Sequence, residues 1–519
     1  MKGSTYRALE IPVGKQMSSS EPAPPSSKPW PWLTAIVFFV LCLLFFGRDL
    51  NFSAYAHPDE SSKIDQIVHT HYNFNHPLLM LNSARLVADV SGKSSDFEAV
   101  KLIGRSVSVV YASLAVSILA LVMGRLYGSV AAIATGLFVM TNPRLFEYAH
   151  YFKEEPTLLV GISLSLLSMV IYSEKSTVWT AGLLGAATAL AFAGKYAGII
   201  ILPFSIYMVF AFSKNRPRDL GILLAGFLIV FVLVNLPAFQ SLTKAFGRLD
   251  REVEHLRVGK EVARKIPHGI YTDRYWHSAT PVLLGLLALY AWSLFKRGFK
   301  IKPIEWVLTL VPTVYFAILS FIPMTLDRYF LPCGVLLACL SAAGLTGVLQ
   351  FKHGKWIALA LIVLSVGWQV PRLYDANEGF SHDHLGELVQ FMNANLPADS
   401  VILVGKGLRA IPLGPFKISN HQISHTDTLD SLRKEGITHL IVSPRNNKYY
   451  MNRNSNLTRN SDEEFKGLKS LYETLFIQGQ LLREWKAGST TYPAREIRLY
   501  SIKQVENAPE SRDPNQRNK

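Results

Sequence analysis

Residues 32–47 read WLTAIVFFVLCLLFFG, and a short way beyond them comes Tyr55-Ala56-His57-Pro58-Asp59-Glu60. The first stretch is an almost unbroken apolar run; the second lies in a segment, residues 48–101, polar enough to be a water-facing loop. Two adjacent carboxylates therefore sit at a membrane surface. Carboxylates are costly inside a bilayer, so a fixed juxtamembrane pair is a candidate site that requires partners elsewhere in the chain.

Composition agrees with a membrane assignment. The 519 residues are 49% hydrophobic and 18% charged, with a mean hydropathy of +0.21. That is too apolar for a soluble protein and too charged to lie wholly in lipid, so a polytopic α-helical membrane protein with a water-soluble portion is expected. The net charge of +15 does not imply nucleic acid, because the Lys and Arg are spread through short connections between apolar runs and form no basic patch. Cys42, Cys333 and Cys339 fall in apolar runs, which excludes a disulfide framework or a Cys-based zinc site.

Residues 1–31 are rich in Ser and Pro and include Lys2, Arg7, Lys15 and Lys28, as expected of a disordered cytoplasmic tail. The A-x-A-like Ala54-Tyr55-Ala56 leaves a cleaved signal peptide as a competing reading. Apolar runs recur near 103–124, 128–142, 156–172, 178–194, 196–212, 220–237, 278–295, 304–322, 329–350 and 356–371. With the first, about eleven transmembrane helices are expected. An inner amino terminus puts Lys214, Arg216, Arg218, Lys296, Arg297, Lys300, Lys302, Lys352 and Lys355 in inner loops, as the positive-inside rule requires. Residues 32–372 then form the membrane domain. Residues 373–503 change character: helical patterns at 383–396, 427–435 and 462–478 alternate with strand-like Val401–Val404, His439–Val442 and Ile497–Tyr500. A small extracytoplasmic α/β domain is expected there, followed by a disordered tail at 504–519.

The same count brings three further charged clusters to the outer boundary. These are Lys153-Glu154-Glu155-Pro156, Gly194-Lys195-Tyr196 and Asp327-Arg328-Tyr329. Singly, each reads most simply as solvated acids or snorkelling cations. Together they place carboxylates and cations at one membrane level. The chain lacks a Walker A motif and a strand-GxGxxG-helix unit, so no nucleotide site is expected. A phosphate on a lipid would suit Lys195 and Arg328, and a nearby carboxylate would take a proton from an acceptor hydroxyl. Sugar transfer from a polyprenyl phosphate needs one such base and one such clamp.

These motifs resemble those of the GT-C superfamily of polytopic glycosyltransferases, especially the bacterial relatives of dolichyl-phosphate-mannose protein mannosyltransferases and aminoarabinose transferases. His57-Pro58-Asp59-Glu60 looks like the acidic motif of the first outer loop, and Asn75-His76-Pro77-Leu78 like the motif beyond it. Lys153-Glu154-Glu155-Pro156 is similar to a K-E-D-P motif with Glu155 replacing the Asp. Lys195-Tyr196 with Leu202-Pro203 is similar to K-Y-x-x-L-L-x-P, and Arg328-Tyr329-Phe330-Leu331-Pro332 to R-Y-x-L-P.

The resemblance implies an inverting glycosyltransferase with the GT-C fold, a polyprenyl-phosphate-linked sugar donor and a hydroxyl-bearing acceptor. It implies that Asp59 is the catalytic base with Glu60 in support. Glu154, Glu155, His57 and His76 would bind acceptor or donor. Lys195, Tyr196, Arg328 and Tyr329 would bind the carrier phosphate. No metal site and no required cofactor are expected; a divalent metal among His57, His69, His71, His76, His268 and His277 is conceivable without a spacing that specifies it. The loop at 250–277, with Glu252, Glu254, Glu261, His268 and Tyr271, is expected to cover the site. The competing function is a multi-span transporter or flippase, which should carry ionisable residues near the bilayer midplane. A membrane sensor built on the outer domain is third.

Overall fold

The computed structural model describes residues 30–53, 55, 57, 59–258, 280–298, 301–321, 327–405, 415–443, 462–488 and 491–503. Within the described residues, each apolar run of the sequence is helical. Among the described residues six helices are long and apolar enough to cross a membrane, and five further apolar helices have 10–17 residues.

Which faces these helices bury shows that the solvent around them is lipid. Helix Arg216–Val234 buries Asp219, Leu223 and Phe227, one stripe at four-residue spacing, yet exposes Leu228, Ile229 and Leu233. Helix Gly354–Ser381 likewise exposes Leu359, Val363 and Leu364. Large apolar side chains are turned outward around the bundle, the inverse of a water-soluble helix. This is a membrane protein.

Helix Phe97–Tyr127 is the central post, packed by Trp30–Phe46, Ser129–Met140 and Glu155–Glu174. With no hydrophobic drive between helices in lipid, small residues permit their close approach. A Cβ on Gly161 would lie 2.3 Å from the Ala191 backbone, and one on Gly185 would lie 2.0 Å from the Leu223 carbonyl oxygen. Helices Glu155–Glu174, Val178–Gly194 and Arg216–Val234 are thereby fixed side by side.

The segment at 48–101 is not an extended loop. It contains helices Glu60–Val68 and Leu79–Val90, whose Ile64, Ile67, Leu81 and Ala84 form a small core with Phe74 and Phe152. The expected covering loop is described only as far as helix Leu242–Val258; the side chains of Glu252 and Glu254 and all of Glu261, His268, Tyr271 and His277 lie outside the described residues. Residues 1–29 and 504–519 also lie outside them.

The α/β portion contains strands β1 (Val401–Val404), β2 (Lys417–Ile418), β3 (His439–Val442), β4 (Gln480–Trp485) and β5 (Ile497–Ser501), in the order β2-β1-β3-β5-β4. The pairs β1–β2 and β1–β3 are parallel; β5 runs antiparallel to β3 and β4. Helix Gly354–Ser381 runs through the position of the boundary expected between 372 and 373, with Pro371 inside. A proline removes one backbone donor and leaves the remaining turns bonded, so the break read at the end of the apolar run does not form.

Candidate active site

The site is assembled from four segments far apart in sequence. Asp59 is the N-cap of helix Glu60–Val68, but its carboxylate makes no cap bond. Its Oδ2 instead lies 2.5 Å from Lys153 Nζ and 3.2 Å from Arg328 Nη1. One turn along the same helix, Lys63 Nζ is 2.9 Å from Glu154 Oε1. Lys195 Nζ is 2.7 Å from Glu155 Oε1, and Arg328 Nε is 3.7 Å from the same oxygen. The chain of charge runs Lys63, Glu154, Lys153, Asp59, Arg328, Glu155, Lys195. Opposite signs alternate along it, and cations stand at both ends.

The backbone places these groups by ordinary local rules. Helix Glu155–Glu174 begins with Pro156 in its first turn and Glu154 as N-cap, so both acids lie at its positive end. Helix Val178–Gly194 ends at Lys195, whose neighbours Tyr196–Ile200 form a tight 3-10 turn. Beneath the cations lies Tyr329, its ring centre 4.8 Å from Lys195 Nζ and 5.6 Å from the Arg328 guanidinium carbon. Tyr196 packs on Phe192.

Burial alone would raise the Asp59 carboxyl, but Lys153, Lys63 and Arg328 hold it well below its ordinary value. Glu154 is likewise held far down against burial, with the ammonium groups of Lys63 and Lys153 beside it. Burial pulls Lys153 down, and Arg328 adds to that, but Glu155, Glu154 and Asp59 together raise it above its ordinary value. Burial lowers Lys63, with Glu154 opposing. Glu154 Oε2, Glu155 Oε2 and Arg328 Nε are buried without a hydrogen-bond partner. The cluster is therefore charged and incompletely satisfied.

A cleft of about 80 Å³ opens beside it, lined by Asp59, Lys63, Gln66, Asn73, His76 and Glu154 among others. His76 is held neutral, its pKa lowered to about 4, first by burial and then by Lys153 and Lys63 against Glu154.

Residues 75–237 match the family model described as dolichyl-phosphate-mannose-protein mannosyltransferase. The fold is similar to that of ArnT from Cupriavidus metallidurans bound to undecaprenyl phosphate, with a TM-score of 0.52 at 14% identity over 93% of this chain and 100% of that one. The chain has the GT-C fold. Archaeal oligosaccharyltransferase AglB from Archaeoglobus fulgidus, solved with an inhibitory peptide and a dolichol-phosphate, has a GT-C fold similar to this one at a TM-score of 0.51 and 12% identity, over 92% of this chain and 75% of that one. No curated protein gives a significant sequence match.

Within this GT-C fold, Asp59, Glu154, Glu155, Lys195, Arg328 and Tyr329 meet, whereas two of the expected residues do not join them. Glu60 is fully buried against Arg105, at 3.0 Å and 2.7 Å, and accepts from the Phe152 backbone N–H at 2.7 Å. Arg105 also donates to the carbonyls of Leu50, Phe52 and Ser53. Glu60, to which the resemblance assigns a supporting role, is thus placed as the anchor of the outer segment. Successive residues at a helix start point about 100° apart, so one acid of a pair faces the cleft and the other the core.

His57 also stands apart from the chain of charge. It is 1% exposed, packed between Tyr151 and Tyr492 at 4.8 Å from each, and its Nδ1 accepts from the Asp59 backbone N–H at 3.2 Å. Burial, with Lys153 next in weight, holds it neutral. It holds the backbone of Asp59, and its Nε2 is buried without a hydrogen-bond partner.

Lys63 and Lys153 carry charge to which the sequence alone assigns no role. Lys153 belongs to the K-E-D-P-like motif, but its function there becomes visible only through its contact with Asp59. Lys63 lies four residues from Asp59, a spacing that signals proximity once 60–68 is read as helix. Among the described residues no group of His, Cys, Asp and Glu has metal-holding geometry. Cys42, Cys333 and Cys339 are free and buried.

Proposed function

We propose that this protein is an integral-membrane inverting glycosyltransferase that moves a sugar from a polyprenyl-phosphate carrier to a hydroxyl acceptor at the extracytoplasmic surface. The observation that carries the reading is the charge chain itself. Lys63, Lys153, Lys195 and Arg328 face Asp59, Glu154 and Glu155, leaving one positive charge in excess at the end of a membrane bundle. A lipid phosphate supplies the missing anion. ArnT of similar fold holds undecaprenyl phosphate.

In this reading Lys195 and Arg328 grip the carrier phosphate, with Tyr329 beneath them and Tyr196 shaping the turn. Both cations leave Glu155 in part as the phosphate enters, since charge-assisted bonds to phosphate replace those to the carboxylate. The acceptor hydroxyl approaches Asp59 through the cleft lined by His76 and Glu154. Its oxygen attacks the anomeric carbon opposite the leaving group; the bond from that carbon to the phosphate oxygen breaks, and its electron pair departs with the carrier phosphate. The hydroxyl proton passes to Asp59. Inversion results from attack at the opposite face.

Resting Asp59 is a weak base because Lys153 and Arg328 hold its negative charge. Withdrawal of Arg328 toward the phosphate restores basicity when the donor is present. No metal is required in this scheme, because the leaving phosphate is neutralised by side chains.

The test is Asp59→Asn in full-length protein supplied with a polyprenyl-phosphate sugar. Transfer should fall at least about a thousandfold, while carrier binding and membrane level persist. Near-normal turnover would sink the base assignment.

A further inference from the structure

Helix Arg216–Val234 ends at Asn235, which is 4% exposed and fixed on both sides. Its Oδ1 accepts from the Leu78 N–H at 2.9 Å, and its Nδ2 donates to the Phe231 carbonyl at 2.9 Å. Asn82 Nδ2 donates to the Val234 carbonyl at 2.8 Å. These bonds staple the end of a membrane helix to the loop at 75–78, and Leu78 lines the cleft beside Asp59. Helices Leu236–Phe239 and Leu242–Val258 start from this staple.

Apolar side chains of these two helices point both inward and outward. Inward, Ala238 and Ala245 pack on the small core of Ile64, Phe74 and Leu81, to which the Asp59 helix belongs. Outward, Leu236, Phe239, Leu242 and Phe246 are 46%, 40%, 47% and 64% exposed. Leu242, Ala245 and Phe246 fall within an arc of about 100°, while exposed Lys244 and half-buried Arg248 lie on the other side of the helix. The outward side chains follow directly on ones that already meet lipid, since Leu228, Ile229 and Leu233 are exposed on helix Arg216–Val234. Phe239 meets Phe231 edge-on, with ring centres 6.1 Å apart, which holds the first surface turn against that helix.

A segment tied to the end of a lipid-facing helix, with large apolar side chains turned off the protein, has the bilayer for a neighbour. An amphipathic helix in that position buries its apolar face at the boundary between headgroups and acyl chains. We propose that Leu236, Phe239, Leu242 and Phe246 form a surface anchor in the leaflet on the side of the charge chain, and that lipid contact there holds the cleft loop in place through Asn235. The partner is the lipid surface itself. Because the core of the Asp59 segment rests on Ala238 and Ala245, the anchor also sets the depth at which that segment sits.

The test uses full-length protein in phosphatidylcholine nanodiscs, with a bimane label on Phe246→Cys or on Lys244→Cys; the native Cys42, Cys333 and Cys339 are buried. The quenchers are iodide in the water and phosphatidylcholine carrying a doxyl group near the top of an acyl chain. The ratio of lipid to iodide quenching should be several-fold higher for the label on Phe246→Cys than for the one on Lys244→Cys. An equal or lower ratio overturns the anchor. Shielding of the Phe246→Cys label from both quenchers overturns it as well, because protein, a second copy or another part of this chain, would then cover the site. The coupling is read by amide hydrogen exchange over residues 73–82, where the Leu78 N–H reports its bond to Asn235. Leu242→Glu with Phe246→Glu should speed that exchange about tenfold or more while exchange in strands β1 and β3 is unchanged. Unchanged exchange at Leu78 in that variant overturns the coupling. Neither readout involves sugar transfer, so the anchor and the reaction stand or fall separately.

Discussion

Lys153 Nζ lies 2.5 Å from Asp59 Oδ2, and it is the Lys153 side chain, only 1% exposed, that is committed to the pair. The same ammonium lies 3.6 Å from Glu154 Oε2. Removing it would leave two carboxylates without their shared cation. Lys153→Met should lower transfer by at least about a hundredfold and destabilise the protein by about 3 kcal/mol, as breaking a buried pair does. Turnover together with the thermal midpoint of purified protein checks both. Arg328→Ala should differ: carrier affinity should fall more than acceptor affinity, with a smaller loss of stability.

Stability should depend on pH in two stages. His57 and His76 are held neutral in the fold, His76 with a pKa lowered to about 4. Below the ordinary histidine value of about 6.5 the unfolded chain binds protons that the folded chain refuses, so stability falls as pH drops from there toward 4. Asp59 and Glu154 have depressed values, so their contribution is intact above about 4 and is lost on further acidification. Thermal midpoints across this range should be flat above about pH 7 and decline below it; His76→Asn should make the upper stage shallower, leaving the part due to His57.

Glu60 and Arg105 form a pair in which both side chains are fully buried. Glu60→Gln should cost about 3–5 kcal/mol by leaving Arg105 charged and poorly matched. The measurable result is loss of membrane-inserted protein, not a selective kinetic defect. Asp59→Asn, one residue away, should do the reverse.

Tyr492 is the point where the α/β portion touches the catalytic segment. Its ring meets His57 edge-on, its backbone N–H donates to Tyr151 Oη at 3.1 Å, and nearby Arg495 donates to the Tyr55 carbonyl at 3.2 Å. Asp383 Oδ2 accepts from the Ser53 N–H at 2.9 Å. Tyr492→Ala should lower kcat several-fold with little change in KM, because it loosens the residue that holds the Asp59 backbone. Tyr492→Phe retains the ring and the backbone donor, and should restore the native value.

The membrane helices and the four charged motifs were legible because their signals are local. An apolar run or a charged tetrapeptide needs no partner to be recognised. Strands β1, β3 and β5 showed for the same reason. The two-residue β2 exists only through its pairing, and β4 comes after helix Asp462–Gln478 with a single glycine between them and carries a register shift at Leu481 and Arg483. Helices Glu60–Val68 and Leu79–Val90 are amphipathic and shorter than a span, so a search for long apolar runs passes over them. The division of labour between Asp59 and Glu60 was invisible, since it is decided by Lys153 on one side and Arg105 on the other. Tyr492 on His57 had no local signal at all.

The unbroken helix Gly354–Ser381 gives the α/β portion a rotational phase. Each helical residue rotates the chain beyond it by about 100° and advances it by about 1.5 Å. Tyr492 therefore reaches His57 only while the spacing between the last apolar turn and the sheet is kept in step. The length of this helix is a gear setting for the catalytic segment.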